Sequence, residues 1–149
     1  MPTIWVDADA APAACKEVLF RAAERRQVEV VLVANRLQKV PRSKWVRAVK
    51  VGAGFDVADD WIVDNVNPGD LVITNDIPLA AQAIDKGATI LRPRGQELDE
   101  RNVRQKLAMR DLMDELRGAG VMTGGPPPYS PRDKQQFANA IDRWLTQRK

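Results

Sequence analysis

Aspartates follow two apolar runs in this 149-residue sequence, and an acidic segment lies between them. Asp7 ends the first apolar run, and Asp76 comes shortly after the fourth. Asp56, Asp59 and Asp60 are spaced i, i+3 and i+4, which places them on one face of a helix. Convergent carboxylates suit one or two Mg²⁺ or Mn²⁺ ions, which take hard oxygen ligands. Such ions orient a water molecule and stabilise a leaving oxygen, so the chemistry indicated is phosphodiester hydrolysis.

Each of these aspartates also has a purely structural interpretation. Asp76 precedes Ile77-Pro78 and suits the N-cap position of a helix, as does Asp56. Asp59 and Asp60 suit a solvated helix face, although repulsion would cost ~0.2–0.5 kcal/mol per exposed pair. Periodicity and spacing alone therefore leave a ligand role and a structural role both open.

Alternating apolar runs and helical patterns predict the elements that must position these residues. The predicted strands are residues 3–6, 29–34, 48–51, 70–74 and 89–91. The predicted helices are residues 12–26, 56–65, 77–86, 99–118 and 132–147, with a rigid Gly- and Pro-rich connector at 124–128. This order is typical of an open, mostly parallel α/β sheet. Such a sheet binds ligands beyond the carboxyl ends of its strands, where Asp7 and Asp76 are expected.

The composition removes several classes of catalytic chemistry. The sequence has no histidine, which excludes a Ser-His-Asp triad, a Cys-His pair and a histidine-ligated zinc ion. Cys15 is the only cysteine, so one chain forms neither an internal disulfide nor a cysteine-based metal cluster. With 44% hydrophobic and 29% charged residues and a net charge of +3, a globular domain is expected. No leader and no apolar stretch near the ~20 residues of a membrane span is visible, which predicts a cytoplasmic protein without membrane contact.

A basic segment lies between the second and third predicted strands. No acidic residue occurs from Val30 to Phe55, and the candidate nucleic-acid-binding residues there are Arg36, Lys39, Arg42, Lys44 and Arg47. Such side chains would follow a phosphate backbone, with Trp45 stacked on an unpaired base. The alternative is a solvated loop with Trp45 in the core, since tryptophan is usually well buried. After the fifth strand, Arg92 and Arg94 are placed to meet a phosphate, unless Arg94 pairs with an aspartate of the site.

Two segments of the chain resemble a PIN-like nuclease domain. The acidic pair within Ala58–Val63 and the strand end Thr74-Asn75-Asp76 are similar to that family's acidic helix opening and its Ser/Thr-x-Asp pattern. Nearly the whole chain also resembles the YaiI/YqxD family of largely uncharacterised bacterial proteins. The motifs that carry this second resemblance are Trp5–Ala10, Val33–Arg36, Asp70–Ala80, Arg92–Gly95, Arg110–Met113 and Thr123–Pro126.

The resemblance implies a PIN-like three-layer α/β fold with a central, mostly parallel five-stranded sheet and a C-terminal helical extension. It implies one domain over residues 1–149, with an α/β core at 1–95 and helices at 96–149 packed on it. The metal-binding acidic positions of PIN-like nucleases are matched by Asp7, by Asp76 and by one or both of Asp59 and Asp60. The residues expected to support this site or to contact substrate are Asp9, Asn35, Thr74, Asn75 and Arg94.

These observations predict a Mg²⁺- or Mn²⁺-dependent nuclease that hydrolyses RNA in preference to DNA. The alternative from another class is a non-catalytic RNA-binding or regulatory PIN-like domain, and a third is a phosphatase or nucleotide hydrolase acting on small molecules. Ala11 stands before Pro12 where relatives usually carry cysteine, which argues against thiol chemistry in this chain. The sequence leaves the oligomeric state open.

Overall fold

Six strands and five helices alternate along the residues that the computed structural model describes, which are 2–9, 11–54, 56–118 and 127–147. The strands are β1 (Thr3–Asp7), β2 (Glu29–Ala34), β3 (Val46–Lys50), β4 (Leu71–Ile73), β5 (Thr89–Leu91) and β6 (Glu97–Leu98). The helices are α1 (Ala13–Arg26), α2 (Val57–Asn65), α3 (Ile77–Asp85), α4 (Glu100–Gly118) and α5 (Pro131–Gln147). In these ranges, no helix is both long and apolar enough to cross a membrane. Residues 124–126 of the predicted connector, the motif Thr123–Pro126 and Ala10 lie outside the described residues.

The strands form one sheet in the order β3-β2-β1-β4-β5-β6. Every neighbouring pair is parallel except β5 and β6, which confirms the mostly parallel sheet predicted from the sequence. The two-residue strand β6 is an addition to the predicted five. After β1 the chain first builds β2 and β3 on one side and then returns to place β4 on the other. Strand order therefore reverses at β1, and the crevice at the carboxyl ends of β1 and β4 is where open sheets bind ligands.

Apolar side chains cover both faces of the sheet and produce a three-layer fold. Residues of β1 alternate between the faces, with Ile4 and Val6 in one buried cluster and Trp5 in the other. The first cluster contains Leu19 of α1 and Phe137 of α5. The second cluster contains residues of α2, α3 and α4, among them Ile62, Leu79 and Val103. The C-terminal helix α5 thus shares a layer with α1.

The bounds of β3 differ most from their prediction. β3 begins at Val46, two residues before the predicted strand, because it follows β2 in register from the pair Val30 and Val46 to the pair Ala34 and Lys50. β3 is an edge strand in which only Val46 is fully buried, so its apolar pattern is weak. The strongly amphipathic α5, by contrast, begins within one residue of its predicted start.

A buried carboxylate joins the amino ends of β1 and β4. Asp70 is only 3% exposed. It accepts hydrogen bonds of 2.9 Å each from the backbone N–H of Thr3, the indole N–H of Trp5 and the backbone N–H of Asn67. These charge-assisted bonds hold the central strand pair together. Asp70 is therefore a structural acid, at the edge of the sheet opposite Asp7.

The turn between β5 and β6 packs closely against α5. Gly95 in this turn has a φ of +94°, and a Cβ added there would lie 2.8 Å from the carbonyl carbon of Gln136. Beside it, Arg94 Nη1 donates to Asp133 Oδ2 at 2.8 Å. These contacts fix the first turns of α5 against the carboxyl edge of the sheet.

Candidate functional site

Asp7 and Asp76 lie close together at the carboxyl edge, beside the reversal of strand order. Asp7 is the last residue of β1, and Asp76 follows β4. The hydroxyl of Thr74, which is buried, donates to Asp7 Oδ2 at 3.1 Å and accepts from the backbone N–H of Asp76 at 2.9 Å. This arrangement provides a physical basis for the supporting role expected of Thr74.

Asp76 also caps helix α3. Its Oδ1 accepts a hydrogen bond of 2.9 Å from the backbone N–H of Leu79, and a proline stands in the first turn of the helix. The structural interpretation of Asp76 is therefore correct. It does not exclude a ligand role, because the cap engages one of the two carboxylate oxygens.

Asp59 brings a third carboxyl group from the first turn of α2. Its carboxyl group lies near that of Asp76, so the two groups repel each other when both are ionised. Burial, followed by the negative charges of Asp76 and Asp7, raises the pKa of Asp59 to about 7. Near neutral pH, the metal-free site is therefore poised between protonated and ionised forms.

Asp7 is perturbed in the same direction. Burial raises the pKa of Asp7, and the charges of Asp76 and Asp9 raise it further, while the hydrogen bond from Thr74 opposes the shift. Carboxyl groups perturbed by desolvation and by like charges are typical of functional sites. The three groups repel one another when ionised, which favours the binding of a proton or a cation.

A cavity of about 130 Å³ lies over the acidic part of α2 and the start of α3. It is lined by Asp56, Asp59, Asp60, Asp76, Pro78, Leu79, Gln82 and Arg110. Asp56 occupies the predicted N-cap position of α2 with a left-handed φ of 64°, but its side chain makes no capping hydrogen bond within the described residues. Asp60 is exposed on the cavity wall. Of the acidic pair, Asp59 is the residue that interacts with both Asp7 and Asp76.

The donor groups suit a hard divalent cation, although they do not form a finished metal cage. Within the described ranges, no three carboxyl or thiol side chains are arranged to hold a metal ion. Mg²⁺, however, usually binds through one or two carboxylates together with water and substrate phosphates. The hydrogen bonds from Thr74 and Leu79 each engage one oxygen, which leaves a second oxygen on Asp7 and on Asp76. A cation bound there would compete with the proton that the raised pKa of Asp59 favours.

Asp9 and Asn35 lie on the β2 side of this site. The backbone N–H of Asn35 donates to Asp9 Oδ2 at 3.0 Å, and both residues are exposed. The contact ties the segment after β1 to the end of β2. Asp9 thus supports the backbone beside the site and adds to the negative potential at Asp7.

The basic segment between β2 and β3 is open to solvent. All five candidate nucleic-acid-binding residues are exposed, namely Arg36, Lys39, Arg42, Lys44 and Arg47. Arg47 Nε lies 3.6 Å from Oε1 of Glu29, the first residue of β2, so Arg47 points away from the carboxyl edge. Trp45 is half-buried against the core, and the Lys44 ammonium lies 5.1 Å from its ring centroid. Trp45 therefore lies largely against the core, as the alternative interpretation of the basic segment expected.

Arg94 and Arg92 take different roles after β5. Arg94 pairs with Asp133 at the start of α5 and also donates to the backbone carbonyl of Pro127, in the segment before α5. Its alternative pairing with an aspartate of the site is therefore wrong, because α5 supplies the partner. Arg92 Nε donates to Asn75 Oδ1 at 3.2 Å, next to Asp76. The sequence singled out Arg92 together with Arg94 for their place directly after β5, and the structure separates the two by their partners.

Comparison with known proteins agrees with the resemblance to the YaiI/YqxD family. The profile of the uncharacterised bacterial YaiI/YqxD family matches residues 5–147. A UPF0178 protein of Shewanella baltica OS155 is 59% identical over 142 residues, which are 95% of each chain. Relatives with the same name in Cronobacter sakazakii and Pectobacterium carotovorum are 58% and 56% identical over 146 residues, covering 98% of this chain and 97% of theirs. No solved structure matches the chain significantly. The chain belongs to the YaiI/YqxD family.

Proposed function

We propose that the protein is a Mg²⁺- or Mn²⁺-dependent nuclease that hydrolyses phosphodiester bonds of RNA in preference to DNA. The observation that carries this proposal is the meeting of Asp7, Asp59 and Asp76 from three separate elements. They lie near the reversal of strand order, where burial and the charges of Asp76 and Asp7 raise the pKa of Asp59 to about 7. The likeness of these positions to the acidic residues of PIN-like nucleases supports the same reaction.

In this proposal Asp7 and Asp76 hold the cation, and Asp59 completes the site once its proton is lost. Thr74 orients Asp7, while the cap of α3 orients Asp76. A bound divalent ion supplies the positive charge that orients water and stabilises the leaving oxygen. Asp60 lies on the cavity wall, where it contributes negative charge without contacting Asp7. No side-chain nucleophile is needed.

Basic side chains on either side of the acidic site support a polyanionic substrate such as RNA. Arg36 and Lys39 follow β2, and Arg92 follows β5. A polyanion bound across the carboxyl edge would be held by these cations while its scissile phosphate meets the cation site. The small half-buried face of Trp45 contributes little stacking area in this arrangement.

The test is a cleavage assay on chelator-stripped protein with labelled single-stranded RNA and DNA of mixed sequence, in Mg²⁺ or Mn²⁺. The wild type and Asp85→Asn should cleave equally, because Asp85 lies at the far end of α3, about 13 Å along the helix from Asp76. Asp7→Asn should reduce cleavage by at least ~100-fold, since one ligand is lost. Equal cleavage by the wild type and Asp7→Asn would rule out this site as the catalyst.

One observation favours a second candidate, a non-catalytic RNA-binding or regulatory domain. Among the described residues, the carboxyl groups do not form a ready three-ligand metal site. This alternative predicts RNA binding with a steep salt dependence and no cleavage with any divalent ion. The same set of oligonucleotides, followed by both anisotropy and gel analysis, separates the two candidates.

A further inference from the structure

Arg92 is a half-buried cation with neutral partners. Its Nε donates to Asn75 Oδ1 at 3.2 Å, and its Nη1 donates to Gln96 Oε1 at 3.1 Å. Within the described residues, Arg92 forms no ion pair. Two backbone hydrogen bonds, between Arg92 and Gln96 at 2.8 Å and between Gly95 and Arg92 at 2.9 Å, close the turn that carries the guanidinium. The group is held beside Asn75, which precedes Asp76 in sequence, and among the described residues no carboxylate pairs with it.

Arg92 and Arg94 differ in the charge of their partners. Arg94, two residues further on, is neutralised by Asp133 at 2.8 Å. Arg92 instead bears the cost of burial and of repulsion from Arg94, both of which lower the pKa of its guanidinium. A partly buried arginine commonly has an anionic partner. Because the described residues supply none, the arrangement points to a ligand that brings negative charge.

A groove leads from Arg92 along α5. It has a volume of about 230 Å³ and is lined by Arg94, Gly95, Gln96, Gln136, Asn139 and Arg143. Gln96 belongs both to this groove and to the hydrogen-bond partners of Arg92, so the two features are continuous. Within the described ranges, Arg143 forms no ion pair either. The groove therefore offers a second unpaired guanidinium together with amide donors.

We propose that Arg92 and the groove along α5 form the phosphate-binding track for a single-stranded polynucleotide that leaves the acidic site on the β5 side. Arg92 binds the backbone phosphate next to the scissile one, and Arg143 with the amide groups of the groove binds a phosphate further along. This inference rests on the proposed function, because the acidic site defines where the track begins. It places the principal backbone contacts on the side of β4 opposite the basic segment after β2.

The first test measures affinity without metal or cleavage. Fluorescein-labelled oligouridylate of twelve nucleotides, in EDTA, is titrated with the wild type, Arg92→Gln, Arg143→Gln and the matched control Arg21→Gln, whose arginine is exposed on α1. Loss of one charge-assisted phosphate contact should weaken binding by about tenfold for Arg92→Gln and severalfold for Arg143→Gln. Each variant should also lower the salt-dependence slope by about 1. Arg21→Gln should bind within about twofold of the wild type.

A second readout separates phosphate contact from a merely structural role of Arg92. In a series of oligonucleotides that each carry one neutral methylphosphonate, one position should weaken wild-type binding and leave Arg92→Gln unchanged. Oligothymidylate in parallel shows whether the track accepts DNA backbone as well. The inference is overturned if every methylphosphonate that weakens binding by the wild type also weakens binding by Arg92→Gln. It is also overturned if Arg92→Gln binds like Arg21→Gln. Because Arg143 is on the surface, its variant keeps the test valid even where Arg92→Gln is unstable.

Failure of the track and failure of the proposed function give different results. Wild type that cleaves RNA with Mn²⁺ while Arg92→Gln cleaves and binds equally well contradicts only the track. Wild type that binds RNA through Arg92 but never cleaves contradicts only the nuclease. Wild type that does not bind the oligonucleotide at all contradicts both.

Discussion

Asp7 and Asp76 are joined by one buried hydroxyl, that of Thr74, which donates to the first at 3.1 Å and accepts from the backbone of the second at 2.9 Å. The two aspartates come from neighbouring parallel strands, so this link spans the crevice where strand order reverses. It orients Asp7 without neutralising it. A carboxylate held in this way can exchange a proton for a cation with little rearrangement.

Replacing Thr74 should therefore affect cation binding through Asp7. Thr74→Val keeps the shape but removes the hydroxyl, and we expect Mn²⁺ affinity to fall by about 10- to 100-fold, as for other groups that orient metal ligands. The unfolding free energy should fall by about 1–3 kcal/mol, because the partly buried N–H of Asp76 loses its acceptor. Thr74→Ser retains the hydroxyl and is the control. Calorimetric titration that shows equal affinity for Thr74→Val and the wild type would contradict this account of Asp7.

The two roles of Asp76 can be separated by two substitutions. Asparagine is as good an N-cap as aspartate, so Asp76→Asn should keep thermal stability without metal within the equivalent of about 0.5 kcal/mol. Asp76→Ala should lose ~1 kcal/mol through the cap alone. Both variants should lose the rise in Tm that Mn²⁺ produces in the wild type. A full Mn²⁺-induced rise in Asp76→Asn would show that Asp76 is only a cap.

Cation affinity should depend on pH through Asp59. Because the pKa of Asp59 is raised to about 7, a cation must displace a proton at lower pH, and Mn²⁺ affinity should rise between about pH 5 and 7 and then level off. Asp59→Asn should bind more weakly and show a flatter profile. Manganese electron paramagnetic resonance across this range provides the measurement. A steep profile that persists in Asp59→Asn would assign the proton to another group.

The raised pKa of Asp59 also determines how the stability of the metal-free protein changes with pH. The pKa of Asp59 is higher in the folded chain than in the unfolded chain, so the folded state binds more protons between the ordinary carboxyl range and about pH 7. The unfolding free energy should consequently fall as pH rises through this window, and the raised pKa of Asp7 acts in the same direction. Urea unfolding of Asp59→Asn should show a weaker decrease than the wild type.

The fold could be predicted from the sequence where burial leaves a strong apolar pattern. The apolar runs of β1 and β2 are covered on both faces and could be recognised without a structure. β6 could not, because two residues carry no periodic signal and the strand exists only through its antiparallel pairing with β5. The predicted bounds of β3 were shifted because β3 is an edge strand whose bounds depend on its neighbour.

Some residues of the candidate site could be predicted from the sequence, and others could not. The strand-end rule was enough to select Asp7 and Asp76. The choice between Asp59 and Asp60 was not available from spacing, since one residue turns a helix by ~100° and only the packing of α2 decides which carboxyl faces the sheet. Arg94 and Arg92 could not be distinguished either, because the partner of Arg94 is Asp133, which lies 39 residues away in sequence.

Packing of the β5–β6 turn against α5 yields a stability prediction. Gly95→Ala forces a side chain into a positive φ and against the backbone of Gln136, so the unfolding free energy should fall by about 1–3 kcal/mol. Gly52→Ala is the matched control, because an added Cβ there meets no atom within 4 Å. Its stability should stay within about 1 kcal/mol of the wild type. Urea unfolding that gives equal losses for both variants would mean that this turn does not constrain α5.

Binding of a divalent cation by the carboxyl groups at the reversal of strand order is central to the proposed function. Isothermal titration of chelator-stripped protein with Mn²⁺ near neutral pH tests it directly, on the wild type, Asp7→Asn and Asp85→Asn. We predict binding by the wild type and Asp85→Asn, and affinity lower by at least ~30-fold in Asp7→Asn, whose circular dichroism should remain that of the wild type. Equal Mn²⁺ binding by Asp7→Asn and the wild type, or no binding by the wild type, would contradict the account.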